Sequence, residues 1–323
     1  MPLKKNIAFV CFFYAINLNA QTCCSGGVPL SNSIGMPLSE KGVLQIGLNY
    51  DYNNLNTLNN GSETLDDDSR LRITHSILLN TNYSITKNLS AEGLFTWINQ
   101  RRRITQFGNQ TLNQSSGIGD AVFLLKYNFI GKQSNLGIGL GTKIPLGSST
   151  EVDSRNILLI NDLQPGSNAW DIIYWLSGSI NLNIRPSFSI FTRLTYRNTG
   201  TDHEYLGNST YKYGNEFQGF LNFSDQFILL KTIINPGLSF KYRNTVKDET
   251  GGGALDNTGG NWVFLIPSFS INVSPNIAFS TRAELPLYSN VDGTQLTPTY
   301  RLTSGFILKI KPKPKLHNLP NLN

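Results

Sequence analysis

The chain reads as all-β: a transmembrane antiparallel up-and-down β-barrel of about twelve strands, with short periplasmic turns and long extracellular loops. Three observations predict this. From Ala121 to Phe129 every second residue is apolar or aromatic (Ala121, Phe123, Leu125, Tyr127, Phe129), while Asp120, Val122, Leu124, Lys126 and Asn128 alternate with them, which is strand periodicity. Most later segments repeat that pattern, with no helical period to supply a covering layer, so the greasy face is expected to meet lipid and the other face a lumen. No segment of the mature chain approaches ~20 consecutive apolar residues, so there is no transmembrane helix to expect.

The first residues carry Lys4 and Lys5, the apolar run Ile7 to Ile16, and Asn17-Leu18-Asn19-Ala20. This is the layout of a secretory signal peptide over residues 1–20, cleaved after Ala20. Of three cysteines, Cys11 would leave with it. Cys23 and Cys24 remain in an oxidising compartment, where an adjacent pair can ligate a soft metal such as copper(I), close a vicinal disulfide, or simply sit in an inert N-terminal cap. Residues 21–42 are irregular, broken by Gly26, Gly27, Pro29, Gly35 and Pro37. They either enter the lumen as a plug or hang below it, and are too short to be a folded energy-coupling domain.

The barrel is expected over residues 43–310. Leu44, Ile46, Leu48, Tyr50 and Tyr52 face outward, followed by a polar loop from Asn53 to Arg70. Its Asp66-Asp67-Asp68 lacks the Gly and distal Glu of a calcium loop and reads as solvated. Strands follow at Leu71–Ser84 and Leu89–Ile104. The second of these ends in Arg101-Arg102-Arg103 on the extracellular side, where Arg101 and Arg103 are candidates to grip lipopolysaccharide phosphates; the alternative is pairing with Asp66 to Asp68. After the strand that begins near Ala121, Leu136, Ile138, Leu140, Thr142 and Ile144 face outward, and inward Gly137, Gly139 and Gly141 are expected to leave space in the lumen. The long loop from Gly147 to Ala169 is a candidate constriction. Further strands read as Trp170–Leu182, Phe188–Asn198, Tyr211–Phe223, Ile228–Arg243, Trp262–Val273, Ile277–Tyr288 and Tyr300–Ile310. Pro236, Pro267 and Pro286 fall inside them and are expected at bulges or kinks, since proline removes a ladder donor. Residues 311–323 form a Lys-, Pro- and Asn-rich periplasmic tail, so both termini are expected in the periplasm.

Alternation assigns an inward charged set: Arg72, Glu92, Asp120, Lys126, Lys143, Asp171, Arg193, Arg197, Glu216, Lys231, Lys241, Arg282, Glu284 and Arg301. Charges removed from bulk water must pair or meet water, so the set either cross-links a packed lumen or lines a wet channel that favours anions. Asp120, Lys126, Lys143, Arg193, Arg197, Glu216, Arg282 and Glu284 are the candidates to line a permeation path, with Asp120, Lys126, Arg193 and Arg197 foremost. The formal net charge of +6 comes with no clustered basic face interleaved with aromatics, which argues against nucleic acid.

Ser116-Gly117-Ile118-Gly119-Asp120 leading to Lys126-Tyr127, with Leu285-Pro286-Leu287-Tyr288 and Asp292-Gly293-Thr294-Gln295 before the last strand, resembles the outer-membrane transporter family associated with phenol meta-pathway degradation. More distantly it is similar to long-chain fatty acid and toluene channels. The resemblance spans Val43 to Ile310 and implies uptake of small, often hydrophobic or aromatic compounds. The chain departs from the usual aromatic barrel ending, continuing instead as Lys311-Pro312-Lys313-Pro314-Lys315.

The reading is therefore a passive outer-membrane channel without cofactor, in contact with membrane lipid, lipopolysaccharide and small solutes, and with the barrel-assembly machinery during insertion. A closed structural or surface-interaction barrel is the alternative. A lipid-acting barrel enzyme is the third class. It would need His75, which faces lipid, since His203 lies in a loop and His317 in the tail, and no specific serine motif accompanies it.

Overall fold

A computed structural model describes residues 34–312; the predicted signal peptide, Cys23, Cys24 and residues 313–323 lie outside the described residues. Twelve long strands make the wall: β1 (Leu44–Asn60), β2 (Arg70–Ser84), β3 (Leu89–Gln106), β4 (Ala121–Ile130), β5 (Ser134–Ile144), β6 (Asp171–Asn181), β7 (Ser189–Asn198), β8 (Glu216–Ser224), β9 (Thr232–Thr245), β10 (Gly260–Ser274), β11 (Ile277–Val291) and β12 (Thr294–Ile310). Each pairs antiparallel with the next, and β12 pairs with β1 from Leu44–Ile310 to Asn60–Thr294, which closes the sheet. Closure satisfies every edge, as a sheet in hydrocarbon requires. Among the described residues no helix is long and apolar enough to cross a membrane.

Hydrophobicity is inverted across the wall. On β1, Leu48 is 55 % exposed whereas Gln45 and Asp51, which point the other way, are each 1 % exposed. Phe95, Trp97, Phe123, Leu125, Tyr127, Leu136, Ile138 and Leu140 continue the exposed apolar belt, the lipid-facing band of an outer-membrane barrel. Long connections gather at one end, here the loop end. The short turns, the entry to β1 and the exit from β12 gather at the other, the turn end.

Several boundaries depart from the sequence reading. The ladder of β1 runs to Asn60 through register shifts near Leu55, so much of the expected Asn53–Arg70 loop is wall. Asn109–Ile118 also pairs with β3, so the wall rises past the membrane as a hairpin before a break at Gly119-Asp120. Tyr211 belongs to a small four-stranded sheet over the loop end, built from 201–205, 209–212, 249–250 and 253–254, and β8 starts only at Glu216. Of the three prolines, Pro286 lies at a register shift between β10 and β11. Pro236 falls just beyond the end of the β8–β9 ladder at Ser224–Gly237, and Pro267 sits in the unshifted β9–β10 ladder opposite Leu238. Lys231 is not inward: it occupies a tight turn at positive φ and is exposed, because β9 begins one residue later.

The inward glycines leave no open space. A Cβ on Gly137 would come within 2.8 Å of the Trp175 ring, and one on Gly139 within 3.2 Å. A Cβ on Gly141 would meet Leu124 at 3.0 Å. Glycine in β5 makes room for large side chains from β4 and β6.

Candidate functional site

The lumen is crossed from the turn end by residues 34–42, which reach in and then leave along the wall to join β1. Glu92 of β3 holds them. Its two carboxylate oxygens accept hydrogen bonds from successive backbone amides, Gly35 at 2.8 Å and Met36 at 3.0 Å. Lys126 of β4 closes the clamp, donating to the Met36 carbonyl at 2.7 Å while paired with Glu92 at 2.5 Å. From β7, Arg193 donates to the Ile34 carbonyl and lays its guanidinium 4.0 Å from the Phe220 ring centroid. The segment thus spans the bore between walls several strands apart. Gly35 has φ +97° and lies against Trp175 Nε1, where a Cβ would sit at 3.1 Å, so the turn into the clamp favours glycine on two counts.

Ile34 enters an apolar cluster inside the barrel with Leu78, Leu94, Val122, Leu124, Ile173 and Trp175. A second cluster, Phe220, Trp262, Phe264, Ile266 and Val291, lines the other side. Alternation had marked this face as polar. It misses these residues because β2, β4, β6 and β10 are locally apolar on both faces, and periodicity alone does not say which apolar residue meets chain and which meets lipid. Such runs, Ile77-Leu78-Leu79 and Val122-Phe123-Leu124-Leu125, are the signal that would find them.

Towards the loop end the inward charges form a continuous chain. Asp120 pairs with Lys143 at 2.8 Å, Lys143 with Asp171 at 3.5 Å, Arg197 bridges Asp171 at 3.8 Å to Glu216 at 3.7 Å, and Glu216 meets Arg243 at 2.8 Å. Lys241 with Glu284 and Arg301 with Asp51 extend the pairing around the wall. Asp120 and Lys126, singled out together by the sequence, belong to different groups. Asp120 is a loop anchor: it accepts hydrogen bonds from the Gly147 amide at 3.1 Å, the Ser167 amide at 3.2 Å and the Ser167 hydroxyl at 2.7 Å, tying both ends of the 145–170 connection to the wall. Lys143 donates to the Ala169 carbonyl of the same loop.

That loop folds inward, the condition attached to its being a candidate constriction. Its single 3-10 turn, Asn161–Leu163, carries Leu163 into the interior and Asp162 to Arg72 at 2.7 Å. The Ser115 hydroxyl donates to the Leu163 carbonyl at 2.5 Å and the Tyr213 hydroxyl to the Asn161 carbonyl at 2.7 Å. Tyr211 donates to Asp248 at 2.6 Å. Burial first, and the Asp248 carboxylate next, push the Tyr211 phenol well above its usual range, so it stays protonated.

Most candidate permeation residues are therefore cross-links: Asp120, Lys126, Lys143, Arg197, Glu216 and Glu284 are buried in ion pairs, and Arg193 is engaged by the entering segment. Arg282 differs. It has no hydrogen bond or ion pair among the described residues, its Nε lacks a partner, and it faces a cavity of about 280 Å³ with Asn49, Asn222, Ser268, Ser280 and Thr303. A second cavity of about 670 Å³ opens between residues 35–41 and the wall at Lys126, Trp175 and Phe191. On the outside, Arg101 and Arg103 are exposed on either side of the half-buried Arg102. Asp67 is engaged instead by Ser69, accepting from its amide at 2.7 Å and its hydroxyl at 2.9 Å. Outward His75 contacts only aromatic and ladder neighbours among the described groups, with Tyr50 Oη 2.6 Å from its Nδ1.

No family model matches the sequence, and no curated protein matches it. Among solved structures, an outer membrane channel from Pseudomonas putida F1 superposes with a TM-score of 0.65 at 14% identity, covering 88% of this chain and 100% of that one. The β domain of the Bordetella autotransporter BrkA gives 0.49 at 11% identity over 84% of this chain and 100% of that one. The CymD monoaromatic hydrocarbon channel gives 0.38 at 10% identity over 92% and 100%. The last two overlap too loosely to bear on this chain. The first establishes the architecture: this chain has the twelve-stranded fold of an outer-membrane barrel.

Proposed function

We propose that the chain is a passive outer-membrane channel for small hydrophobic or aromatic molecules, with residues 34–42 as the gate and both termini in the periplasm. One observation carries the reading. The bore is crossed near the turn end by a chain segment held through polar contacts with Glu92, Lys126 and Arg193, with a cavity of about 670 Å³ between the segment and the wall. Among the described residues Glu92, Lys126 and Arg193 give the segment four hydrogen bonds, each contributing on the order of 1.5–3 kcal/mol net because one partner is charged, a hold that can be released and remade. The two inward apolar clusters suit solutes with a greasy or aromatic body, the class that resemblance to the phenol-pathway transporters implies. Contact of Arg101 and Arg103 with lipopolysaccharide, and delivery by the barrel-assembly machinery, belong to the same reading.

The second reading, a closed structural barrel, is favoured by the unbroken ion chain from Asp120 to Arg243. Planar-bilayer conductance of the refolded protein with and without residues 21–42 separates the two. The channel reading expects steady conductance in both, or conductance that appears on deletion. Silence in both would leave the closed barrel.

A further inference from the structure

At the loop end a cavity of about 380 Å³ lies between the inward-folded loop, the small upper sheet and the rims of β1, β2, β3 and β12. Neither the gate nor the ion chain uses it. Its volume falls in the range of small-molecule sites, and its walls divide by chemistry. One side holds three arginines from adjacent strand ends, Arg70, Arg72 and Arg102, with Arg72 and Arg102 directly opposite in the β2–β3 ladder. The other side is aromatic and aliphatic, with Tyr205 and Tyr211 at 5.2 Å between ring centroids and Leu255 and Leu296 beside them.

The arginines are unequally occupied. Arg72 is committed to Asp162 and Gln100. Arg102 points into the cavity with no hydrogen bond or ion pair among the described residues, and its Nε is buried without a partner. The acids of the cavity are engaged unequally: Asp248 by the Tyr211 hydroxyl and the Gly214 amide, and Asp162 through one carboxylate oxygen by Arg72, its Oδ1 having no hydrogen-bond partner among the described residues. A half-buried guanidinium with a buried Nε and no hydrogen-bonded partner gains from an acceptor. A planar carboxylate matches its fork bidentately, and an attached ring would lie against the tyrosine wall.

We propose that this mouth cavity is a capture site for a small aromatic monocarboxylate, held through Arg102 with Arg70 assisting, its ring against Tyr205 and the neighbouring leucines. The site deepens the channel reading by naming a solute class, and rests on it for its use in uptake, but binding is measured independently of conductance. The test is calorimetric titration of benzoate into the full-length protein, folded in detergent micelles, with Arg102→Gln, Tyr205→Ala and, as a control on the outer face, Arg101→Gln. Saturable one-to-one binding is expected, weakened about tenfold or more in R102Q, as loss of a charge-assisted bidentate contact implies, and unchanged in R101Q. Acetate, lacking the ring, and benzyl alcohol, lacking the charge, should each bind more weakly. If R102Q fails to fold, Y205A carries the test, with weaker benzoate and unaltered acetate. No saturable benzoate binding, binding indifferent to both substitutions, or inorganic phosphate and acetate binding as well as benzoate would overturn the proposal. Conductance retained alongside any of these results would sink the site while leaving the channel reading intact.

Discussion

The two sides of the lumen solve the same problem differently. Along β3 to β7 the bore is filled with the chain's own segments: residues 34–42 on Glu92, Lys126 and Arg193, the 145–170 loop on Asp120 and Lys143, and Trp175 laid across three glycines. Along β8 to β12 no distant segment among the described residues is clamped in this way. There the wall carries its own apolar cluster, the ion pairs Glu216–Arg243, Lys241–Glu284 and Arg301–Asp51 and, near the turn end, serine, asparagine and threonine around Arg282, whose Nε has no partner among the described residues. The difference teaches where movement can occur. Ion pairs within the wall hold strands that are already hydrogen-bonded to neighbours, so they fix shape. Contacts between wall and inserted segment hold something that can dissociate.

If the first side depends on segment-to-wall contacts, breaking its central cation should have the largest effect. Lys143→Met leaves Asp120 and Asp171 buried without their shared partner, and removal of one member of such a pair costs roughly 3–5 kcal/mol. Urea unfolding followed by tryptophan fluorescence should move by that amount, and limited proteolysis should cut within 147–169 before the wall opens. An unchanged midpoint would mean that the loop is not anchored there. Gly35→Ala is a smaller disturbance. It places a Cβ against Trp175 at positive φ, a backbone strain of about 1–3 kcal/mol, so openings in a planar bilayer should lengthen or multiply while wall stability stays constant. The smallest effect belongs to the second side. Arg282→Gln removes a half-buried cation from the cavity, and under a salt gradient the anion-to-cation permeability ratio should fall a few-fold. An unshifted reversal potential would place the permeation path elsewhere.

Much of the architecture was legible because a lipid-facing strand repeats a two-residue rule: Leu48 and Tyr50, or Phe123 and Leu125, announce the outer face, and all twelve wall strands follow from it, although β1 runs on to Asn60 and β12 begins already at Thr294. What alternation assigns is a face, not a height or a partner. It therefore placed Lys126 and Asp120 together although one clamps the entering segment and the other a loop. It extended the eighth strand back to Tyr211, whose alternation with Tyr213 looks like barrel wall but serves the upper sheet. The glycines of β5 read as vacancy because the indole that fills them comes from β6, 36 residues beyond Gly139 in the chain. The Glu92 clamp joins residues 57 and 56 apart in sequence, and nothing local announces it.

The claim that Glu92 acts by holding the entering segment is tested most directly by a conductance cycle: wild type, Glu92→Ala, deletion of residues 21–42, and the two combined. The account predicts that E92A raises conductance towards that of the deletion, and that adding it to the deletion changes nothing further. An E92A channel no more conductive than wild type beside a conducting deletion, or a further rise in the combined variant, would contradict it.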